Sequence, residues 1–310
     1  MFSRLLLFLF FGVVSATKIE IVTIICGEQK SLFNAWISSI LISHKLSLSR
    51  IRVTVFTDSL VFISPCLNKL STLLDINFKL LSNYADDDLE ELAEEDHRFK
   101  CAIYKLNLPA MMANESRVIF TDVDTLFLED ISILWYTNMS KKMIWATPEF
   151  NGESTTATKN WYQDLSKKQH YYPPNGINSG VLLLNLDAMR KGNVTAHNIL
   201  RSNTEEVVLA DQDYLNSWAH FNQEEVGLLS CKWNIRLHSN CPTYLKDDAV
   251  GLPKGGIFHG NNKLFQRKDK VQLLRLYSKH FDSICRLKPY FFFSETFYPI
   301  RYLRSSYPQL

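Results

Sequence analysis

No basic run or basic face is visible in this 310-residue chain, whose 34 lysines and arginines meet 32 aspartates and glutamates for a formal charge of +2. Nucleic-acid binders carry such a face, so that class is set aside. No Cys-x-x-Cys occurs among the six cysteines, which fits none of the common zinc frameworks. No apolar stretch approaches the roughly 20 residues that a bilayer-spanning helix needs. Nor does an internal repeat or a low-complexity linker divide the chain. What remains, at 46% apolar and 21% charged residues, is the ordinary composition of a soluble enzyme.

The first residues carry a compartment signal. Arg4 precedes an apolar block at 5–14, and the small residues Ser15 and Ala16 follow it. That order describes a secretory signal peptide over 1–16, with a short signal anchor as the alternative. Sequons at Asn114, Asn138 and Asn193 agree with a secretory route. So do the cysteines, because disulfides suit an oxidising lumen. Cys231 and Cys241, separated by a short polar loop, are the expected pair. Cys26 closes an apolar strand and reads as a buried thiol.

After the leader, strand-like and helix-like segments alternate. Strands are expected at 18–25, 51–56, 76–81 and 117–121, with helical periodicity at 29–44, 60–74 and 99–112. Such alternation predicts an α/β fold with a mixed, mostly parallel sheet flanked by helices. The second half is less regular. Strands are expected at 143–147, 180–186 and 256–258, and helices at 195–201, 211–221 and 269–281. Between two of these strands lies a long polar and aromatic stretch, 149–178, of a length that tends to be functional or disordered. The acidic run at 86–96 reads as a solvated face.

Asp-x-Asp occurs at Asp86/Asp88, Asp122/Asp124 and Asp211/Asp213, so the pattern alone means little and context must choose. Asp122-Val123-Asp124 leaves a buried strand at the carboxyl edge of the sheet, where open α/β folds bind ligands. Two adjacent carboxylates repel, and a hard divalent cation relieves that repulsion. Turn or N-cap aspartates are the competing reading. His259, flanked by Gly256 and Gly260, can ligate a metal, and Lys263 can hold a phosphate; a hairpin with a partly buried histidine fits the same residues. Asn178, between Gly176 and Gly180, suits sugar hydroxyls or a turn equally. Asp211 reads as a helix cap or a polar group facing a ligand, with Gln212 and Asp213 as further hydrogen-bonding candidates.

Taken in order, these motifs resemble glycosyltransferase family eight over about 19–285, and within it the glucoside xylosyltransferases, which extend O-glucose on epidermal-growth-factor-like repeats. The resemblance rests on Cys26-Gly27, residues 99–109 and 121–128, Gly176 to Gly180, Asp211-Gln212-Asp213, Cys231-Lys232-Trp233-Asn234 and Phe258-His259-Gly260-Asn261. It implies a GT-A fold over 18–285, with 286–310 as an aromatic extension. Asp122, Asp124 and His259 would bind Mn²⁺ or Mg²⁺ on the diphosphate of a UDP-sugar. Cys26, Gly27, Lys105, Val123, Gly260 and Lys263 would line the nucleotide. Asn178, Asp211 and Gln212 would face the donor sugar, the last two as the catalytic candidates. The implied reaction moves a sugar, xylose by resemblance, onto a glycoprotein in the endoplasmic reticulum or Golgi with retention of configuration. A lysine stands at position 105, where the family pattern leads one to expect arginine.

Overall fold

Residues 19–25 form an unbroken apolar run apart from Glu20 and Thr23, and such a run is stable as a strand only when both of its faces are covered. In the computed structural model it is strand β1 (Ile19–Ile25), buried at all seven positions. The structure describes residues 18–27, 30–44, 50–60, 65–71, 74–84, 89, 101–139, 141–150, 164–165, 170–203, 207–236, 241, 255–260, 277, 279 and 281. The leader, the acidic pair Asp86/Asp88, Lys263 and the C-terminal extension lie outside them.

The remaining strands are β2 (Ile51–Thr57), β3 (Asp75–Leu80), β4 (Arg117–Thr121), β5 (Thr125–Phe127), β6 (Ile144–Pro148), β7 (Ile177–Asn185), β8 (Val226–Leu228) and β9 (Ile257–His259). Seven of the nine build one sheet in the order β3-β2-β1-β4-β7-β6-β8, and β5 pairs with β9 in a separate ribbon. Within the seven-stranded sheet, neighbours run parallel except that β7 opposes both β4 and β6. The sheet is therefore mixed and mostly parallel, as expected from the alternation of segments.

Each face of the sheet has its own core. Ile19, Ile21 and Ile25 pack with Phe33 and Trp36 of the helix Lys30–Ser43. Val22 and Ile24 point the other way, to Leu108, Met111 and Trp218. The helix Lys30–Ser43 also fixes both flanks of the β4–β5 turn. Trp36 Nε1 donates to Thr121 Oγ1 at 2.9 Å, and Ser39 Oγ accepts from the Phe127 amide at 2.9 Å.

Several elements differ from expectation for identifiable reasons. Within the helix expected over 99–112, the described residues form a 3-10 turn, Ala102–Asn107, followed by a short helix, Leu108–Met111. Pro109 sits in its first turn, where the missing N–H costs nothing. Strand β7 starts at Ile177, so Asn178 to Gly180 lie within the strand and not in a turn before it. Strand β8 and the helix Leu186–Lys191 are short, and their periodicity is too brief to read. Cys231 does bond to Cys241, but Cys26 is no free thiol: it is joined to Cys101. The asparagines of all three sequons are exposed.

Glu20 is 1% exposed at the amino edge of β1. Thr54 Oγ1 donates to it at 2.7 Å, and Arg52 lies 3.5 Å away while also serving Asp75 and Glu115. Burial pushes its carboxyl up from 4.5 to about 7, against the Thr54 hydrogen bond. A raised folded-state pKa contributes stability that is present below the unfolded value and lost as pH rises through the folded one. Unfolding by denaturant should show Glu20 withdrawing up to about 3 kcal/mol between pH 5 and pH 8. Glu20→Gln should flatten that part of the profile; an unchanged slope would contradict this account.

Candidate functional site

A tight turn sets the first two acids. The Thr125 amide and hydroxyl both donate to the Asp122 carbonyl, at 3.2 and 2.7 Å, and the Asp122 amide donates to Gly180 O at 2.9 Å. The aspartates thus end one strand and precede another, which removes the helix-cap reading. Val123 turns inward, 6% exposed, among the residues packed on the helix Lys30–Ser43. Its side chain belongs to the core, so it could meet a ligand only through its main chain.

The third group arrives from far along the chain. Strands β5 and β9 pair antiparallel with Thr125 opposite His259. Gly256, at φ +77°, permits the approach, because a side chain there would strike the Lys232 carbonyl. The Gly260 amide donates to Asp124 O at 3.0 Å, so its N–H is already engaged within the protein. His259 Nε2 then lies 3.3 Å from Asp124 Oδ1 and 3.8 Å from Asp122 Oδ2. Ligand atoms of all three residues fall within 4.8 Å of one another. Two carboxylate oxygens and one imidazole nitrogen are a donor set suited to a hard or borderline divalent cation.

Lys105 is the fixed cation beside them. It is 5% exposed and pairs with Asp122 Oδ1 at 3.1 Å and Asp211 Oδ2 at 2.8 Å. It also donates to Ser179 O at 3.2 Å and lies 4.8 Å from the centre of the Phe120 ring. Burial works to lower its pKa, but the two carboxylates outweigh that and raise it. Burial in turn pushes Asp122 up to about 6, against the pull of Lys105 and His259. Burial likewise opposes the charged form of His259, and Asp124 and Asp122 reverse the effect, so its pKa rises.

The helix Asp211–Phe221 brings the remaining polar groups. It is tied to the start of β7 by Asn216, which accepts from the Ile177 amide at 2.7 Å and donates to the Ile177 carbonyl at 2.8 Å. Ala210, at φ +53°, is the cap position, so Asp211 is the first helical residue and not the cap. Asp213 is spent on structure: it accepts from the amides of Val208 and Leu209, both at 2.6 Å, and from the Tyr171 hydroxyl. Gln212 and Asn178, 8% and 7% exposed, meet at 2.7 Å.

Gly180, which flanks Asn178, belongs to this cluster, and so do Glu149, Ser179, Asn234 and Arg236, to which the sequence alone assigns no role. Glu149 accepts from Asn178 at 2.8 Å and Gln212 at 3.2 Å, and it pairs with Arg236. Asn234 sits between Asn178 and His259. Its place in the Cys231 to Asn234 motif was the available signal; Glu149 and Arg236 stand in no motif.

Just past the carboxyl end of β1, Gly27 is exposed at φ +62°, and its amide donates to Asp58 at 3.2 Å. Cys26, half-buried, links through its disulfide to Cys101, just before the turn that carries Lys105. The acidic turn, His259 and Cys26-Gly27 thus gather at the carboxyl ends of β4, β9 and β1, with Lys263 outside the described residues.

A mostly parallel sheet with an acidic turn after its fourth strand is the frame of a GT-A glycosyltransferase, and solved structures agree. The mouse xyloside xylosyltransferase 1 apo form superposes with a TM-score of 0.55 at 18% identity, over 80% of this chain and 99% of that one. The galactosyltransferase LgtC, in complex with donor and acceptor sugar analogs, matches with a TM-score of 0.55 at 16% identity, over 86% of this chain and 95% of that one. The sequence profile of Glycosyl transferase family 8 matches residues 42–250, and the chain belongs to that family. Glucoside xylosyltransferase 1 of Danio rerio is 32% identical over 186 residues, 53% of this chain and 44% of that protein. The chain therefore spans about half the length of the curated relatives it matches.

Gly180 should not tolerate a side chain. A Cβ there would lie 2.6 Å from His259 Nδ1, closer still to Cε1, and 3.1 Å from Asn178 Oδ1. Gly180→Ala should displace the imidazole and cost about 1–3 kcal/mol of stability. Denaturant unfolding with the imidazole signals of His259 read by NMR checks this; unmoved signals at wild-type stability would contradict it.

Proposed function

We propose that this protein is a metal-dependent glycosyltransferase that moves a sugar from a UDP-sugar to a carbohydrate on a protein, with xylose as the sugar and O-linked glucose as the acceptor. The observation that carries the reading is the convergence of Asp122, Asp124 and His259 from two distant segments onto one point. Membership of family 8 and similarity to a glucoside xylosyltransferase support it.

The donor set fits Mn²⁺ or Mg²⁺ held by Asp122, Asp124 and His259. When bound, such a cation supplies Lewis-acid neutralisation of charge on a leaving diphosphate. The chain's own groups do the rest. Lys105 pairs with Asp122 and Asp211 and sets a positive charge between them. Asn178, Asp211 and Gln212 present hydrogen-bonding groups to the donor sugar. Gly27, Cys26 and the Gly260 segment flank the nucleotide, and Lys263 serves a phosphate. Holding donor and acceptor in register lowers the barrier by orientation.

Secretory-pathway residence belongs to the same proposal. It rests on the leader pattern, the exposed sequon asparagines and the Cys26–Cys101 and Cys231–Cys241 bridges.

The test uses purified protein, a panel of UDP-sugars and glucosylated peptides, read by mass spectrometry. Product should form best with UDP-xylose and Mn²⁺. Asp122→Ala and Asp124→Ala should each lower turnover by at least about 100-fold while the fold persists by circular dichroism, a loss typical of removing transition-state charge stabilisation. Wild-type turnover in either variant would refute the metal assignment. Failure of every UDP-sugar to bind or react would favour a non-catalytic, glycan-binding member of the fold. Transfer from UDP-glucose or UDP-galactose instead would correct the donor.

A further inference from the structure

We infer that Asn234 is a positioning residue that fixes the tautomer and aim of His259, and that it links this imidazole to the residues facing the donor sugar. The inference rests on the metal reading of Asp122, Asp124 and His259 proposed above. It starts from one contact: His259 Nδ1 lies 2.9 Å from Asn234 Oδ1.

Which way each amide points is settled by groups with only one possible role. The Gly180 amide can only donate, and it donates to Asn178 Oδ1 at 3.0 Å. The Glu149 carboxylate, when ionised, can only accept, and it receives Asn178 Nδ2 at 2.8 Å. Those two contacts fix the Asn178 amide. Asn234 must then turn its NH₂ toward Asn178 Oδ1, which it meets at 2.6 Å. Its oxygen is left facing the imidazole. A carbonyl oxygen cannot donate, so Nδ1 of His259 must carry the proton. In the neutral ring the lone pair is consequently on Nε2, the atom aimed at Asp124 and Asp122.

Metal-ligating histidines are commonly oriented by a partner on their other nitrogen, and loss of that partner costs about 10–100-fold in metal affinity. Here the partner is itself held. Asn234 is fully buried, Gly180 lies beneath the imidazole, and Asn178 is shared with Gln212 at 2.7 Å. One amide relay, Gln212 to Asn178 to Asn234 to His259, therefore runs from the sugar side of the site to the metal side. Aspartate at position 234 would still accept from Nδ1–H, preserving the tautomer, but it could no longer donate to Asn178. Alanine would do neither.

Two measurements test this, and neither depends on turnover. The first is Mn²⁺ affinity in the presence of UDP, by calorimetry. Asn234→Ala should bind Mn²⁺ about 10–100-fold more weakly, and Asn234→Asp should stay within about threefold of wild type. The second is the imidazole ¹⁵N spectrum of metal-free wild-type protein, taken at a pH above which the His259 signals no longer move and the ring is neutral, with His259 assigned by its loss in His259→Gln. It should show the Nδ1–H form, and Asn234→Ala should shift toward a tautomer mixture. Undiminished Mn²⁺ affinity in Asn234→Ala, or an Nε2–H ring in the wild type, would overturn the inference while leaving the metal reading in place. If wild-type protein binds no Mn²⁺ with UDP, the metal reading fails and the tautomer spectrum alone judges Asn234.

Discussion

Like charges packed at one edge of a sheet need a positive partner, and that need organises this molecule. Asp122, Asp124, Asp211 and Glu149 crowd the carboxyl ends of the central strands. Among the described residues, Lys105 answers Asp122 and Asp211, and Arg236 answers Glu149. Among the same residues, Asp124 pairs with the imidazole of His259. Burial pushes Asp122 up to about 6 even with Lys105 alongside, so the site favours any cation able to sit between the two acids. The fold brings the imidazole of His259 to these acids from more than a hundred residues away.

Most of the frame can be read from local patterns. Residues 19–25 and 117–121 are runs of β-branched and large apolar residues, and both are strands. The Asp122–Asp124 turn stands out because it directly follows one of them. The later part is harder to read because its elements are short and owe their form to tertiary contacts. Strands β5 and β8 are three residues each, below the length at which periodicity means anything, whereas the short strand expected at 256–258 is β9. Strand β7 starts three residues earlier than its apolar pattern suggests, because Asn216 supplies Ile177 with hydrogen bonds that a neighbouring strand would otherwise provide.

Candidate residues follow the same division. Aspartates, histidine and glycines announce themselves by chemistry or by motif. Glu149 does not, and Asn234 is marked only by its place in the Cys231 to Asn234 motif, since an amide or a carboxylate gains its role here from what it faces. Asp213 shows the converse error: a polar residue in a suggestive motif whose oxygens are consumed by Val208, Leu209 and Tyr171. Val123 is a second case, apolar and turned into the core between two acids that are not. The family profile ends at residue 250, so the β5–β9 pairing, and not the profile match, brings His259 beside the Asp-x-Asp turn.

Anomalous diffraction from crystals soaked with Mn²⁺ and UDP tests the central claim most directly. The account predicts a single strong peak at about 2 Å from a carboxylate oxygen of Asp122, one of Asp124 and Nε2 of His259, with diphosphate oxygens completing the shell. A peak held by other residues, or bound UDP with no metal between it and these three side chains, would contradict it.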